Sequence, residues 1–328
     1  MIKFVVKRLL WMIPILLGVV IIVFTIQHFT PGDPVAAILG QNYTEEQYAI
    51  KEAEMGLDQP YLVQLWDYIK GLITKFDLGQ SYTSKRDVKI LISERFKPTI
   101  IIGVLSVLVS TVIAMPLGVF AATRQGTALD AGTVGVSIVL SAVPSYWLAM
   151  MMLLWFCLKL PIFPAAGIES WKGYVLPVVC SVLNPLIVTL RMTRTSMLEV
   201  IRSDYVRTAR AKGVPEGLVL RRHALGNALI PVLTSLGQHL GGALGGSILV
   251  ETIFTVPGMG ILMKEAIAGF DYPLVQGCVL VLSFIMCMMN LLTDLAYGIV
   301  DPRVRDQYRG GKKKKRVNTE KKEVLANG

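Results

Sequence analysis

Long apolar runs separated by short charged ones organise this chain. After Lys3, Lys7 and Arg8 the next charge is Asp33, and residues 9–27 form one hydrophobic run between them. A bilayer core requires about 20 residues of helix, so a first span is predicted here. The run is long for a signal-peptide core and no small-residue cleavage site follows it, which predicts a retained helix with its N-terminus inside. Further apolar runs at residues 98–123, 131–158, 173–190, 224–250 and 272–293 predict five more spans, the fourth only 18 residues long. Arg191 and Arg194 follow that fourth run and are expected to snorkel toward headgroups.

Between the first two runs, residues 30–97 turn polar, with ten acidic and eight basic residues. Helix-like pieces occur at residues 44–55 and 60–75, and Thr44 with Gln47 three positions later has the form of a capping box. This segment lies outside if the first helix spans, and its few core residues predict a packed cap over the pore rather than an independent domain. At residues 87–97, Val88, Leu91, Ile92 and Phe96 share one helical side. Two readings stand: an interfacial amphipathic helix, or an ordinary juxtamembrane lead into the second span.

The remaining connections alternate in charge. Residues 124–130 make a tight inside turn, residues 159–172 a proline-punctuated outside turn, and residues 251–271 an outside segment of net charge −2. The proposed inside pieces total +14 and the outside pieces −3, as the positive-inside rule expects of an N-in, C-in, six-helix protein. Gly237, Gly241, Gly242, Gly245 and Gly246 give the fifth span a flat face, for static packing or for a pore-facing surface. Asp294 sits seven residues before Asp301, about 10 Å of helix rise from the polar end, which predicts a cap or an ion pair.

The polar island at residues 191–226 differs from the other loops, with eight basic residues against three acidic. From Tyr205 to Lys212 the residues favour helix, Gly213 stands where a helix end takes a left-handed residue, and Pro215 opens a second short helix over residues 216–224. The reading is helix, sharp turn, helix, on the cytoplasmic side.

Composition closes off other classes. With 53% hydrophobic and 17% charged residues and a mean hydropathy of +0.56, the 328-residue chain is a polytopic membrane protein. Its net charge of +10 collects in loops and tail without interleaved aromatics, which argues for orientation in a bilayer and against nucleic acid. Cys157, Cys180, Cys278 and Cys287 lie in apolar runs without C-x-x-C spacing, as buried inert thiols do. No phosphate-binding G-x-x-x-x-G-K-[ST] occurs, and His28, His223 and His239 are far apart without zincin spacing, so no catalytic, cofactor or metal site is expected.

Arg207-Thr208-Ala209-Arg210-Ala211-Lys212-Gly213, followed by Arg222-His223-Ala224-Leu225 and Asn227-Ala228-Leu229-Ile230-Pro231, resembles the cytoplasmic signature of the membrane-spanning permeases of binding-protein-dependent ABC importers, in the dipeptide, oligopeptide and nickel branch. That family's signature opens with Glu and closes with Ile-x-Leu-Pro. Here Arg207 replaces the Glu, and the proline arrives only at Pro231. Pro31-Gly32-Asp33-Pro34, Asp77-Leu78-Gly79-Gln80-Ser81, Pro116-Leu117-Gly118, Pro144-Ser145-Tyr146-Trp147 and Asn290-Leu291-Leu292-Thr293-Asp294 also resemble this branch.

The resemblance implies an all-α integral membrane protein with the type I ABC importer (MetI-like) permease fold. It implies residues 1–29 as an N-terminal span, 30–97 as a helical extracytoplasmic segment and 98–305 as the permease core with a coupling loop at 191–226. Residues 306–328 are then a basic disordered tail. Tyr205, Arg207, Thr208, Ala209, Arg210, Ala211, Lys212, Gly213 and Pro215 would carry the stroke of two cytoplasmic ATPases. A second homologous permease, an extracytoplasmic substrate-binding protein and membrane lipid complete the expected partners, with a peptide or nickel complex as cargo. A stand-alone secondary transporter or channel is the alternative. Inverted-repeat carriers show two similar halves and polar residues at mid-membrane, and neither is evident in the sequence.

Overall fold

Wherever the apolar runs are described, they are helical. A computed structural model of the chain describes residues 2–244 and 248–300, and among these no strand forms. The helices are α1 (Ile2–Phe29), α2 (Pro34–Leu39), α3 (Glu45–Met55), α4 (Tyr61–Lys75), α5 (Val88–Thr123), α6 (Ala128–Ser141) and α7 (Ser145–Leu153), the last continued by a wider π turn at Leu154–Lys159. After them come α8 (Lys172–Ile201), α9 (Asp204–Ala211), α10 (Glu216–Leu218), a π segment Val219–Ala224, α11 (Leu225–Leu244), α12 (Ile248–Ile253), α13 (Met259–Ala268) and α14 (Tyr272–Val300).

Four of these helices are long and apolar enough to cross a membrane: Phe4–Phe29, Val88–Thr123, Lys172–Ile201 and Tyr272–Ala296. The third apolar run is broken. Residues 131–158 fall into α6 and α7, bent by 86°, because Pro144 cannot continue α6 and instead stands at the N-cap of α7. Taken as one broken span, the pair makes a fifth. In the predicted fifth span, residues 224–250, the described residues form α11, diluted by Asn227, Gln238 and His239, and the start of α12.

The core is α5 against α8, with α11 crossing both and reaching α14, while α1 packs on α14 and touches α4. Small residues permit these crossings. A Cβ on Gly118 of α5 would fall 2.7 Å from Thr193 Cβ and 2.8 Å from the Leu190 carbonyl of α8, and one on Gly237 of α11 would collide with Thr293 of α14. Gly237 thus packs as one reading of the glycine face expects, whereas Gly242, where a Cβ would meet nothing within 4 Å, faces a cavity as the other does. Arg8 Nη2 meets Asp294 Oδ2 at 2.9 Å, so the ion pair expected of Asp294 is present and ties α1 to α14.

Residues 30–97 fold mainly as short helices, two of them with side-chain caps. Asp33 caps α2, and Thr44 with Gln47 closes both hydrogen bonds of the expected capping box on α3. The segment is fastened by Asp271, which accepts hydrogen bonds from Ser81 Oγ (2.5 Å), Tyr82 N (3.0 Å) and Thr83 N (3.3 Å) just before α14. Val88 and Ile92 are buried with Leu78, Met259, Leu262 and Leu274. Their apolar side is covered by α13 and α14, so the interfacial reading of residues 87–97 gives way to a protein-packed lead into α5. Cys157, Cys180 and Cys278 are buried free thiols as expected, and Cys287 is partly buried. The fates expected of Gly245, Gly246 and the tail at 306–328 lie outside the described residues.

Candidate functional site

Two features stand out, and α8 joins them. The first is the loop between α8 and α11. Asp204 to Ala211 forms α9, whose Val206 and Ala209 bury against Val219, Val200 and Val214 in a small core of their own. Lys212 ends the helix and Gly213 takes φ +76°, the left-handed conformation in which glycine carries no steric penalty. Gly213 N donates to Arg210 O at 2.9 Å and Val214 N to Ala209 O at 3.3 Å, satisfying carbonyls the helix end leaves open. Pro215 then stands at the N-cap of α10, and the π segment runs directly into α11.

Polar contacts brace this turn. Arg210 grips Glu216 through Nε (3.0 Å) and Nη2 (2.7 Å), and its Nη1 donates to the Ile201 carbonyl at the end of α8 (3.2 Å). The hydrogen bonds from Arg210 hold the Glu216 carboxyl below the usual glutamate range. The brace therefore persists as pH falls through that range and is released only below it. Asn227 Nδ2 donates to Tyr205 OH at 3.0 Å, tying α9 to α11. Ala122 of α5, Met197 of α8, Ala224 and Ala228 form the packed base beneath.

The second feature is a cavity of about 460 Å³ between α5, α8, α11 and α12. Uncharged polar groups line it: Thr99, Ser106, Ser181, Asn184, Gln238 and His239 among them. Ser181 Oγ is buried with no hydrogen-bond partner, and His239 Nε2 lies 3.1 Å from Ser235 Oγ. A second cavity of about 530 Å³ shares Asn184 and Val188 and continues past Arg191 and Thr195 to Glu199. One open depression thus follows α8 from Ser181 to Glu199, 18 residues and about 27 Å of helix rise.

At the other end Glu251 closes the wall. Its carboxylate is 2% exposed and accepts from Thr99 Oγ1 (2.8 Å), Gly260 N (2.6 Å) and Ile261 N (3.3 Å), the two amides belonging to the first turn of α13. A Cβ on Gly258 would lie 2.5 Å from this carboxyl group, so the site is fitted to it.

Residues 114–306 match the family described as "Binding-protein-dependent transport system inner membrane component", and residues 1–103 match the N-terminal part of the same system. The chain belongs to this family. The permease is 38% identical over 307 residues to the glutathione transport system permease protein GsiC of Salmonella choleraesuis, covering 93% of this chain and 99% of that one. It is 37% identical to the dipeptide transport system permease protein DppB of Alkalihalophilus pseudofirmus (93% and 100% covered) and 36% identical to DppB of Escherichia coli K12 (93% and 99%). Among solved structures it resembles the MetNI methionine ABC transporter in an inward-facing conformation, with a TM-score of 0.51 and 18% identity over 65% of this chain and 97% of that one, a likeness of fold. The protein is thus a multi-pass ABC importer permease of the cytoplasmic membrane, and the stand-alone carrier or channel is set aside.

The structure redistributes the residues expected in the permease's coupling loop. Tyr205, Arg207, Thr208, Ala211, Lys212, Gly213 and Pro215 are exposed along the turn and its helices, whereas Ala209 is buried inside the loop. Of the three basic residues Arg207, Arg210 and Lys212, Arg210 has its guanidinium committed to Glu216. Arg194 does not snorkel either: its Nε and Nη2 reach Asp130 at 2.6 and 2.8 Å, pinning the start of α6 to α8. Polar residues inside the spans, read as absent from the sequence, are present as Asn184, Gln238 and His239. Their polarity within apolar runs was the available signal. Glu251 carried none, since its position at the end of an apolar run reads equally as an interface.

Proposed function

We propose that the permease supplies half of the translocation path for small peptides and works with a second homologous permease, two ATPases and an extracytoplasmic binding protein. Its termini and the α9-turn-α10 loop lie in the cytoplasm and residues 30–97 outside. Six spans result: α1, α5, the bent α6–α7 pair, α8, α11 with α12, and α14. In this reading residues 1–29, 30–97, 98–305 and 306–328 are the working divisions, and Tyr205, Arg207, Thr208, Ala211, Lys212, Gly213 and Pro215 meet the ATPase.

The observation that carries it is the continuity of α8. The helix lines the depression with Ser181, Asn184 and Val188 and passes at Ile201 straight into the braced loop. A push on the loop therefore moves a wall of the cavity, which is what a two-state importer needs. The depression is open along one flank, and a polar flank in a membrane calls for a facing subunit. The uncharged donors and acceptors of its first cavity suit a peptide backbone, and the relatives named for glutathione and dipeptides support a cargo of that size class.

Uptake of a labelled dipeptide into vesicles bearing the assembled transporter tests this directly. ATP-dependent accumulation that a nickel complex does not compete is expected; uptake without ATP, or of the nickel complex alone, refutes the reading. The purified chain by itself is expected to hydrolyse no ATP. In intact cells a membrane-impermeant thiol reagent should label a cysteine placed at Asp58 and spare one at Lys212. The reverse pattern would invert the topology.

A further inference from the structure

Helix α4 carries two apolar faces, and only one of them is used. Tyr61, Leu65, Tyr68 and Leu72, spaced four, three and four apart, turn inward. Tyr61 OH lies 2.7 Å from Thr25 Oγ1, Tyr61 and Tyr68 both pack on Phe24, and Leu72 joins the cluster beneath α13 and α14. The neighbouring stripe, Leu62, Trp66, Ile69 and Ile73 at the same spacing, is largely uncovered by the described residues: Leu62 is 72% exposed, Trp66 64% and Ile73 61%, with Ile69 partly buried. Asp67, Lys70, Thr74 and Lys75 occupy the remaining side of the helix.

Where α4 sits decides what covers that stripe. Its first turn packs on the last turn of α1, through Tyr61 against Phe24, His28 and Phe29. That turn of α1 is the end of the apolar span Phe4–Phe29, only 11% of which is buried in the chain. Ile22, Ile26 and Phe29 are exposed there, and Phe29 also touches Tyr61, so the apolar surface of the span runs on around Phe29 to Leu62 and Trp66. A helix at the mouth of a span, with a tryptophan in an apolar stripe and lysines on its other side, has the make-up of an interfacial membrane helix.

We propose that α4 is a lipid anchor. Leu62, Trp66, Ile69 and Ile73 enter the headgroup and upper acyl region of the leaflet in which α1 ends, while Asp67, Lys70 and Lys75 stay in water. The anchor fixes the height of the polar segment, which Asp271 fastens to α14. The inference depends on the membrane position of α1 and not on the cargo or the direction of transport.

The test compares tryptophan emission of the wild-type transporter and its Trp66→Phe variant in phosphatidylcholine vesicles. Subtraction isolates Trp66 from Trp11, Trp147, Trp155 and Trp171. With lipid brominated near the carbonyl end of its acyl chains, the Trp66 signal should fall by about half or more, while aqueous iodide should leave it nearly unchanged, as for a ring seated in the interface. Quenching by iodide that exceeds quenching by bromolipid would place Trp66 in water and overturn the proposal. Quenching by neither would show that another protein surface covers the stripe, and would overturn it equally.

Discussion

Glu251→Leu is expected to abolish uptake and to lower the stability of the purified permease. The substitution adds apolar surface at a buried position, yet it removes the acceptor that Gly260 N–H and Ile261 N–H have among the described residues and one partner of Thr99 Oγ1. A buried donor left without its acceptor costs about 1–3 kcal/mol, so two orphaned amides amount to a loss on the order of 4 kcal/mol. Because α12 and α13 meet at this carboxylate, the wall of the cavity loosens with it. Glu251→Gln can keep the single oxygen to which both amides donate and turn its own amide toward Thr99 Oγ1, so it should lose far less. Thermal unfolding in detergent and peptide uptake in vesicles provide the measurements. A leucine variant as stable and active as the wild type would show that the carboxylate holds nothing.

Gly213→Val is the second large effect. The Cβ of any residue at this position would meet no atom within 4 Å, so a substitution acts through the backbone alone. At φ +76° a side chain costs about 1–2 kcal/mol, and a β-branched one the most. A bias of that size changes a two-state ratio about 5- to 30-fold. Binding-protein-stimulated ATP hydrolysis and uptake should fall within that range while membrane insertion is unchanged. Gly213→Asn offers the control, since asparagine enters the left-handed region readily, and it should retain most activity. If the valine variant transports at the wild-type rate while neutralising Arg207 and Lys212 impairs only insertion, the loop anchors to headgroups and does not transmit a stroke. Arg210 is left out of that comparison because removing it would break the brace to Glu216 and Ile201 as well as a charge.

Local chemistry made much of this protein legible in its sequence. Span-length apolar runs, a capping box at Thr44, a left-handed glycine after α9 and a proline opening α10 are each decided within a few neighbouring residues. The ion pair of Asp294 was foreseeable in kind, because an acid one or two turns inside a span needs a partner, though not that the partner would be Arg8. Only the tertiary structure decided which charges meet. Arg194 with Asp130, Asp271 with residues 81–83 and Glu251 with Thr99 join positions far apart in the chain, and nothing in their local sequence sets the distance between them. The same holds for the cavity. Asn184, Gln238 and His239 come from two helices, and whether they face lipid, protein or a void depends on how α5, α8 and α11 cross, a geometry that close contacts such as Gly118 against Thr193 fix and the pattern of apolar positions does not.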